Sequence, residues 1–458
     1  MTKIEQLVAN QKTFFKTQAT KDLTFRKDCL KTLKKELIHR EQDIIDALYK
    51  DFKKPRFEAI ISETEIVLQE LNTTIEKLAS WTKPKRVKAS LLNFPSSDYI
   101  MSEPYGTTLC IAPWNYPYQL AIAPIIAAVA AGNTMVLKPS ELTPKTSKLL
   151  EDIITKVFKA EHVAIVIGGI PEATKLLEQR WDYIFFTGSV PVGKIVAKAA
   201  AENLTPTTLE LGGKSPCIID ETASVKLAAK RLVWGKFLNA GQTCIAPDYI
   251  LIKSSIKQAF CKAFKAELDK AYTANPKESK DFARIINEKN FLRLSNLLED
   301  QSIIIGGKID KTDLYIAPTL VDEPNLDSAV MREEIFGPIL PVISYESKED
   351  IDRVISNFEK PLSFYVFSNS KAFTKEIMTT YSFGGGVIND SLIHFANDKL
   401  PFGGVGHSGM GAYHGKASFD TFTHKKPVVK KGNWLDIPIR YAPYKGKEKL
   451  IKFFLKYL

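Results

Sequence analysis

Tyr183-Ile-Phe-Phe-Thr-Gly-Ser-Val-Pro-Val-Gly-Lys-Ile-Val-Ala-Lys-Ala-Ala200 is the stretch whose reading decides the fold. Tyr183–Phe186 is a short apolar run that predicts a buried strand, Thr187-Gly-Ser189 breaks it, and Val196, Ala199 and Ala200 follow at helical spacing. Ser189 is a candidate N-cap and Pro191 suits a first helical turn. Gly188 lets the backbone turn tightly, and the helix start offers free N–H groups to a phosphate. Taken alone, the turn reads equally well as a plain strand-to-helix connection. Gly188 to Lys194 also fits the GxxxxGK of a nucleotide-hydrolase P-loop. That loop needs Ser or Thr next to hold Mg²⁺, and the aliphatic Ile195 stands there instead.

Working outward, the same rhythm repeats. Candidate strands are Thr108–Ala112, Thr134–Lys138, Val163–Ile167, Tyr183–Phe186 and Thr207–Leu211, with helical stretches at 118–131, 146–158, 171–179 and 191–203 between them. Alternation of this kind predicts an α/β fold, a parallel sheet covered on both faces whose ligands bind at the carboxyl ends of the strands. It resumes after residue 214 as a second α/β unit. Upstream, Leu30, Leu33, Leu37, Ile44, Ile45 and Leu48 mark helices, and Ile60, Thr64, Val67, Leu71, Ile75 and Leu78 mark another that ends near Trp81. Residues 85–104 lose helical period and turn at Pro95-Ser-Ser97, which predicts a hairpin or arm reaching away from its domain.

A chain of 458 residues exceeds one core and predicts two or three domains. With 45% hydrophobic and 25% charged residues, it has ordinary globular composition. Cys29, Cys110, Cys217, Cys244 and Cys261 are scattered with no CxxC pair, which argues against a disulfide framework or zinc site and for a reducing, cytoplasmic setting. Met1-Thr-Lys-Ile-Glu-Gln6 lacks a basic-then-apolar signal pattern. Leu120–Ala131, interrupted by Pro124, is short of the ~20 residues a spanning helix needs and predicts a buried helix ending at Gly132. The net charge of +11 is spread along the chain without an aromatic-interleaved basic module, which argues against nucleic-acid binding.

Chemistry concentrates in Gly235-Lys-Phe-Leu-Asn-Ala-Gly-Gln-Thr-Cys-Ile-Ala-Pro-Asp-Tyr249. A helical pattern through Leu227, Val233 and Phe237 runs to Gly241, and a strand begins at Tyr249, so Cys244 falls in a turn pinned by Gly241 and Pro247. An inert buried cysteine is the plainer alternative. Three further stretches fall at strand ends. They are Pro113-Trp-Asn-Tyr-Pro117 with the Asn115 carboxamide, Lys138-Pro-Ser-Glu141, and Leu209-Glu-Leu-Gly-Gly-Lys214 with Glu210. Each has a bland reading, respectively a stiffened loop, a surface ion pair and a glycine-flanked salt bridge. Their coincidence at strand ends favours a site.

These stretches, in order with Phe186-Thr-Gly-Ser189, Glu333-Glu-Ile-Phe-Gly-Pro338, Pro401-Phe-Gly-Gly404 and Gly409-Met-Gly-Ala-Tyr-His-Gly-Lys-Ala-Ser-Phe419, resemble the NAD(P)-dependent aldehyde dehydrogenase superfamily over nearly the whole chain. Cys-Ile-Ala-Pro-Asp248 and the last block are most similar to its class 3, fatty-aldehyde-like branch. The resemblance implies a Rossmann-like cofactor domain at 1–81 and 105–209 and a catalytic domain at 210–388. It also implies a bridging, oligomerisation element at 82–104 and 389–425 and a tail at 426–458. It implies Cys244 as nucleophile, Asn115 with the Cys244 N–H as oxyanion donors, and Glu210 as the base that activates water. NAD, with NADP also accepted, would be held by Lys138 and Glu141 at the adenosine ribose, Gly188, Ser189 and Gly193 at the pyrophosphate, and Glu334 with Phe336 at the nicotinamide ribose. No metal is implied, and a homodimer is.

Two rivals of other kinds remain. A CoA-acylating or reductive relative commonly lacks the water-activating acid, which Glu210 supplies here. A cysteine hydrolase would leave the phosphate turn unused. Trp114, Tyr118, Trp234 and Ile393 are candidates for shaping the aldehyde pocket. In the tail, Lys445, Lys449, Lys452 and Lys456 fall on one side of a helix and Leu450, Ile451, Phe454, Leu455 and Leu458 on the other. Residues 446–458 are too short to span a bilayer, and two options stay open, packing on protein or lying on a membrane surface.

Overall fold

The computed structural model describes residues 2–90 and 93–456. Five parallel strands, Thr207–Glu210, Tyr183–Thr187, Thr107–Ile111, Thr134–Lys138 and Val163–Ile165, lie side by side in that order. Gly409–Met410 pairs antiparallel on the outer edge of Thr207–Glu210. Both faces are covered, so the three central strands are buried along almost their whole length, as the apolar runs predicted. Register pairs Ile111 with both Lys138 and Phe186, and Thr187 with Glu210. The loops after these residues therefore open along one sheet edge, and every quoted strand-end stretch of this unit lies there.

The helix Gln119–Ala131 is buried at every position, which explains its unbroken apolar sequence, and it stops at Gly132 with φ +93°. Its start is capped from a distance. Glu63 accepts from the Tyr118 N–H at 2.9 Å and the Gln119 N–H at 3.1 Å, and pairs with Lys54 at 2.6 Å. Glu63 and Lys54 are both fully buried. A single π-turn, Ile60–Thr64, between Arg56–Ala59 and Glu65–Trp81 brings Glu63 inward.

A second sheet runs Ile303–Ile305, Thr319–Asp322, Ile339–Tyr345, Tyr249–Lys253, Pro216–Ile219, Ser363–Phe367 and Gly385–Ile388, parallel except at its first pair. It has its own core, centred on Ile218, Ile250, Leu251, Val342 and Phe364. The helix before Cys244 ends at Phe237 rather than Gly241, because Asn239 and Ala240 adopt φ of +57° and +53°. Leu227, counted in its apolar pattern, is exposed.

Ser96–Pro104 pairs with Lys85–Val87 on one side and with Thr423–Lys431 on the other, in register from Thr423↔Pro104 to Lys431↔Ser96. The arm strand thus crosses the expected boundary at 425/426. Leu91 and Leu92, inside the expected arm, lie outside the described residues. Residues 389–422, grouped with the arm in the sequence reading, pack elsewhere. Gly409–Met410 joins the first sheet, Phe402, Tyr413 and Phe419 enter its core, and the helix Lys416–Thr421 rests on Gln119–Ala131. Apolar burial decides this: Phe402, Tyr413, Phe419 and Phe422 are too large to leave on a single, half-exposed three-stranded sheet.

Glu448–Lys456 forms the tail helix. Leu450 and Leu455 are 50% and 52% exposed, so the protomer's own surface does not take up the apolar side. Leu458 lies outside the described residues, as does the Phe454 side chain. Among the described residues, no helix is long and apolar enough to cross a membrane.

Candidate active site

Two cavities meet at one point between the sheets. The larger, about 650 Å³, is walled by the strand-end loops of the first sheet on one side and by 333–336 and 357–359 on the other. The smaller, about 60 Å³, is walled by Tyr116, Leu120, Leu238, Leu362, Phe402 and Tyr413. Thr187, Glu210, Leu211 and Cys244 belong to both walls. The wide cleft and the narrow apolar hole therefore share a floor made of a thiol and a carboxylic acid.

Each side chain at the floor is held by the turn that carries it. Asn115 is buried and donates from Nδ2 to the Gln242 carbonyl at 3.1 Å. Asn239, forced into the left-handed region, donates from Nδ2 to the Asn115 carbonyl at 2.9 Å and to the Gln242 carbonyl at 3.1 Å. The loop that carries Asn115 is thus tied to the turn that carries Cys244. Tyr116 adds a second tie, with its hydroxyl 2.6 Å from that of Thr243.

Electrostatics at the floor run against ionisation. Burial pushes the Glu210 carboxyl well above the usual carboxylate range, and neither oxygen has a hydrogen-bond partner. Burial, then the charges of Glu334 and Glu210, push the Cys244 thiol up to about 12, against the pull of the Cys244 and Ile245 N–H groups. Cys244 is only half-buried as a residue, but a thiol between two sequestered carboxyls moves upward in either case. Glu334 rises to about 8, through burial first and Asp248 second, and the Gly213 N–H opposes that.

Seven of the ten expected site residues come together. Cys244, Glu210, Asn115, Gly188, Ser189, Glu334 and Phe336 all line the wide cleft. Phe336, at φ +52°, meets Trp114 edge-on at 5.3 Å. Lys138 and Glu141 stand beside the cleft rather than in its wall, paired with each other at 2.6 Å. Gly193 is a correction. It does not line the cleft, and a Cβ there would lie 2.6 Å from Leu211 Cδ2, so its place is to let the helix pack on the strand end. Of the pocket candidates, Trp114 lines the wide cleft, Tyr118 is buried away from both cavities, and Trp234 and Ile393 are exposed.

Sequence reasoning gave no part to Thr187, Leu120, Tyr413 or His414, although all four lie in stretches quoted above. Lys214 and Asp248 were quoted too, and their buried 2.6 Å ion pair had no sequence signal.

The cleft suits a dinucleotide on observable grounds. The helix Val190–Glu202 starts in its wall, and the Ser189 side chain makes no cap bond to the free N–H groups. A Cβ on Gly188 would lie 2.6 Å from the Phe186 ring, and one on Gly212 2.0 Å from Glu334 Oε2, so at these two positions only backbone faces the cleft. Lys194 and Arg332 bring cationic groups to the wall.

Two parallel-sheet domains closing on a thiol and an acid, beside a dinucleotide-sized cleft, fit a cofactor-dependent oxidoreductase. Residues 1–428 match the aldehyde dehydrogenase family, and the chain belongs to it. It is similar to the 4,4'-diaponeurosporen-aldehyde dehydrogenase of Staphylococcus aureus, 50% identical over 455 residues and 99% of both chains. It is also similar to aldehyde dehydrogenase family 3 member A2 of Mus musculus, 42% identical over 99% of this chain and 94% of that protein. The solved structure of S. aureus AldH in a substrate-bound state superposes with a TM-score of 0.98 at 49% identity, over 99% of this chain and 100% of that one. The class 3 resemblance therefore holds, and the enzyme oxidises an aldehyde to its carboxylic acid with NAD(P)⁺.

Proposed function

We propose that Cys244, Glu210 and Asn115 carry this oxidation, on a hydrophobic aldehyde that enters through the apolar cavity and meets the cofactor at the shared floor. The observation that carries the reading is that Cys244 and Glu210 belong to both cavities. The Cys244 sulfur, after its proton passes to water in the wide cleft, bonds to the aldehyde carbon. The oxyanion formed accepts hydrogen bonds from Asn115 Nδ2 and the Cys244 N–H. One Asn115 N–H is spent on Gln242, which aims the other. Loss of hydride from that carbon leaves a thioester on Cys244. Glu210 takes a proton from water, whose attack on the thioester releases the acid and returns the thiol.

The cofactor would lie along the strand ends. Ser189 and the following N–H groups would hold the pyrophosphate, Lys138 and Glu141 the adenosine ribose, and Glu334 with Phe336 the nicotinamide ribose. Its oxidised nicotinamide supplies the hydride acceptor. Glu141 favours NAD⁺, because a 2′-phosphate would face its carboxylate, while Lys138 beside it leaves NADP⁺ usable. Gly193 drops out of this set.

The test is the absorbance of reduced cofactor on mixing enzyme, NAD⁺ and an aliphatic aldehyde without CoA. Turnover that Cys244→Ala abolishes supports the reading, and an absolute requirement for CoA would replace it with the acylating one. The finer assignments are a cytoplasmic setting, supported by five free thiols, and a homodimer, supported by the arm's outer strand Thr423–Lys431, which pairs on one side only. Light scattering at working concentration tests the dimer. The exposed apolar side of the tail supports contact beyond the protomer. Salt-sensitive sedimentation with anionic vesicles, lost on truncation after Lys445, would assign it to a membrane surface. An altered chain-length preference without vesicle binding would assign it to the partner subunit.

A further inference from the structure

Lys214 and Asp248 have no part in the chemistry above, yet both side chains are 4% exposed and meet at 2.6 Å. A buried ion pair is costly unless other groups take up its remaining donors and acceptors. Here they do, and all on one segment. Lys214 Nζ also donates to the Val330 carbonyl at 2.9 Å and the Glu333 carbonyl at 3.0 Å, which uses its three donors. Asp248 Oδ1 accepts from the Ile335 N–H at 3.0 Å. The peptide groups immediately before and after Glu334 are therefore both pinned by this pair. Arg293 adds a bond to the Ile335 carbonyl at 2.8 Å, and Phe336 follows in the left-handed region, a conformation that persists only where its surroundings hold it.

The other ends of the pair reach the chemistry. Lys214 closes the loop that begins at Glu210, and Asp248 closes the turn that begins at Cys244. The Asp248 N–H donates to the Ser215 carbonyl at 2.8 Å, which ties those two loops together as well. Glu334 itself rests on the Gly212-Gly213 backbone between them. Three separated segments thus share one ion pair.

We propose that Lys214 and Asp248 are positioning residues. Their pair fixes Glu334 at the nicotinamide-ribose end of the cleft and registers that segment against Glu210 and Cys244. This rests on the ribose role read for Glu334 above.

The test compares Glu334→Gln, the double variant Lys214→Met/Asp248→Leu and the triple variant. Replacing both charges with apolar groups of similar size leaves no unpaired charge buried, whereas truncating one side chain would leave the other without its partner. Folding is checked by circular dichroism and thermal melting. NAD⁺ affinity is read from quenching of tryptophan fluorescence, with Trp114 in the cleft wall, and kcat and KM for NAD⁺ are measured separately. Glu334→Gln alone should weaken NAD⁺ binding up to about tenfold, the loss of a carboxyl's hydrogen bonds to hydroxyls. The double variant should weaken it to a similar extent. The triple should be no more than about threefold weaker than the double, because Glu334 is already adrift.

A folded double variant with wild-type NAD⁺ affinity overturns the proposal and leaves the pair as a structural one. A triple variant whose loss is the full product of the other two overturns it as well, since the pair would not act through Glu334. If Glu334→Gln alone binds NAD⁺ like wild type, the ribose reading fails and takes the proposal with it. Should the double variant not fold, Asp248→Asn keeps the shape and one acceptor while dropping the charge. It should raise KM for NAD⁺ several-fold, and an unchanged KM overturns the proposal.

Discussion

Replacing Asn115 with Ala tests the oxyanion assignment with little disturbance of the surrounding loops. The Asn115 side chain makes one bond, to the Gln242 carbonyl at 3.1 Å, and that carbonyl keeps a second donor in Asn239 Nδ2. The bond from Asn239 to residue 115 goes to the backbone carbonyl and survives the substitution. The turn that carries Cys244 should therefore hold its shape, while the amide aimed at the developing oxyanion is lost. Loss of one preorganised donor of this kind costs roughly 2.7–4 kcal/mol, or about 10²–10³ in kcat. The Cys244 N–H remains, so activity should fall within that range rather than vanish. Steady-state reduced-cofactor absorbance at saturating NAD⁺ and aldehyde reads kcat, and fluorescence quenching should give an unchanged NAD⁺ affinity. A kcat within threefold of wild type would refute the reasoning, and so would a fall in kcat matched by a collapse of cofactor binding.

Three more outcomes follow from the same geometry. Glu210→Gln should give a burst of reduced cofactor followed by a slow steady state in stopped-flow absorbance, because hydrolysis loses its base; a linear trace at the wild-type rate would exclude the role. Burial raises the Glu70 carboxyl to about 7, with the Ser418 hydroxyl opposing and Asp398 reinforcing the shift. Its folded value lies above its unfolded one, so its contribution to stability is full at acid pH and is lost as pH rises through about 7, at up to about 1.4 kcal/mol per pH unit. Thermal melts should thus fall between about pH 4.5 and pH 7 and level off above, and Glu70→Gln should flatten that fall; an identical slope in the variant would count against it. Lys54→Met leaves Glu63 buried without its cation, which costs about 3–5 kcal/mol in urea unfolding, and a loss below about 1 kcal/mol would refute the pair's place in holding the start of Gln119–Ala131.

What the sequence made legible is what local physics fixes. The five strands of the first sheet were visible because burial on both faces demands continuous apolar runs, and their helices fell within a few residues of their bounds. The strand-end loops followed from that, and with them the floor of the site. Long-range pairing was not legible. Gly409–Met410 is a two-residue strand that joins an edge some 200 residues upstream, and no periodicity marks so short a pairing. Glu63 and Lys54 read as surface charges until the π-turn and the start of Gln119–Ala131 turned them inward. The apolar cavity draws its wall from nine separated stretches of chain between Ser62 and His414, so no single stretch announces it. Gly193 carries the opposite lesson: a glycine in a phosphate-like turn serves helix packing on Leu211 instead.

The central claim is that the aldehyde is oxidised while bonded to the sulfur of Cys244. Intact-protein mass spectrometry of Glu210→Gln, quenched during the burst with NAD⁺ and a single aliphatic aldehyde, tests it directly. The account predicts an adduct equal to the aldehyde's mass less two hydrogens, mapped to the peptide containing Cys244 and absent from Cys244→Ala. Stoichiometric reduced cofactor with no adduct, or an acyl group on Cys29, Cys110, Cys217 or Cys261, would contradict it.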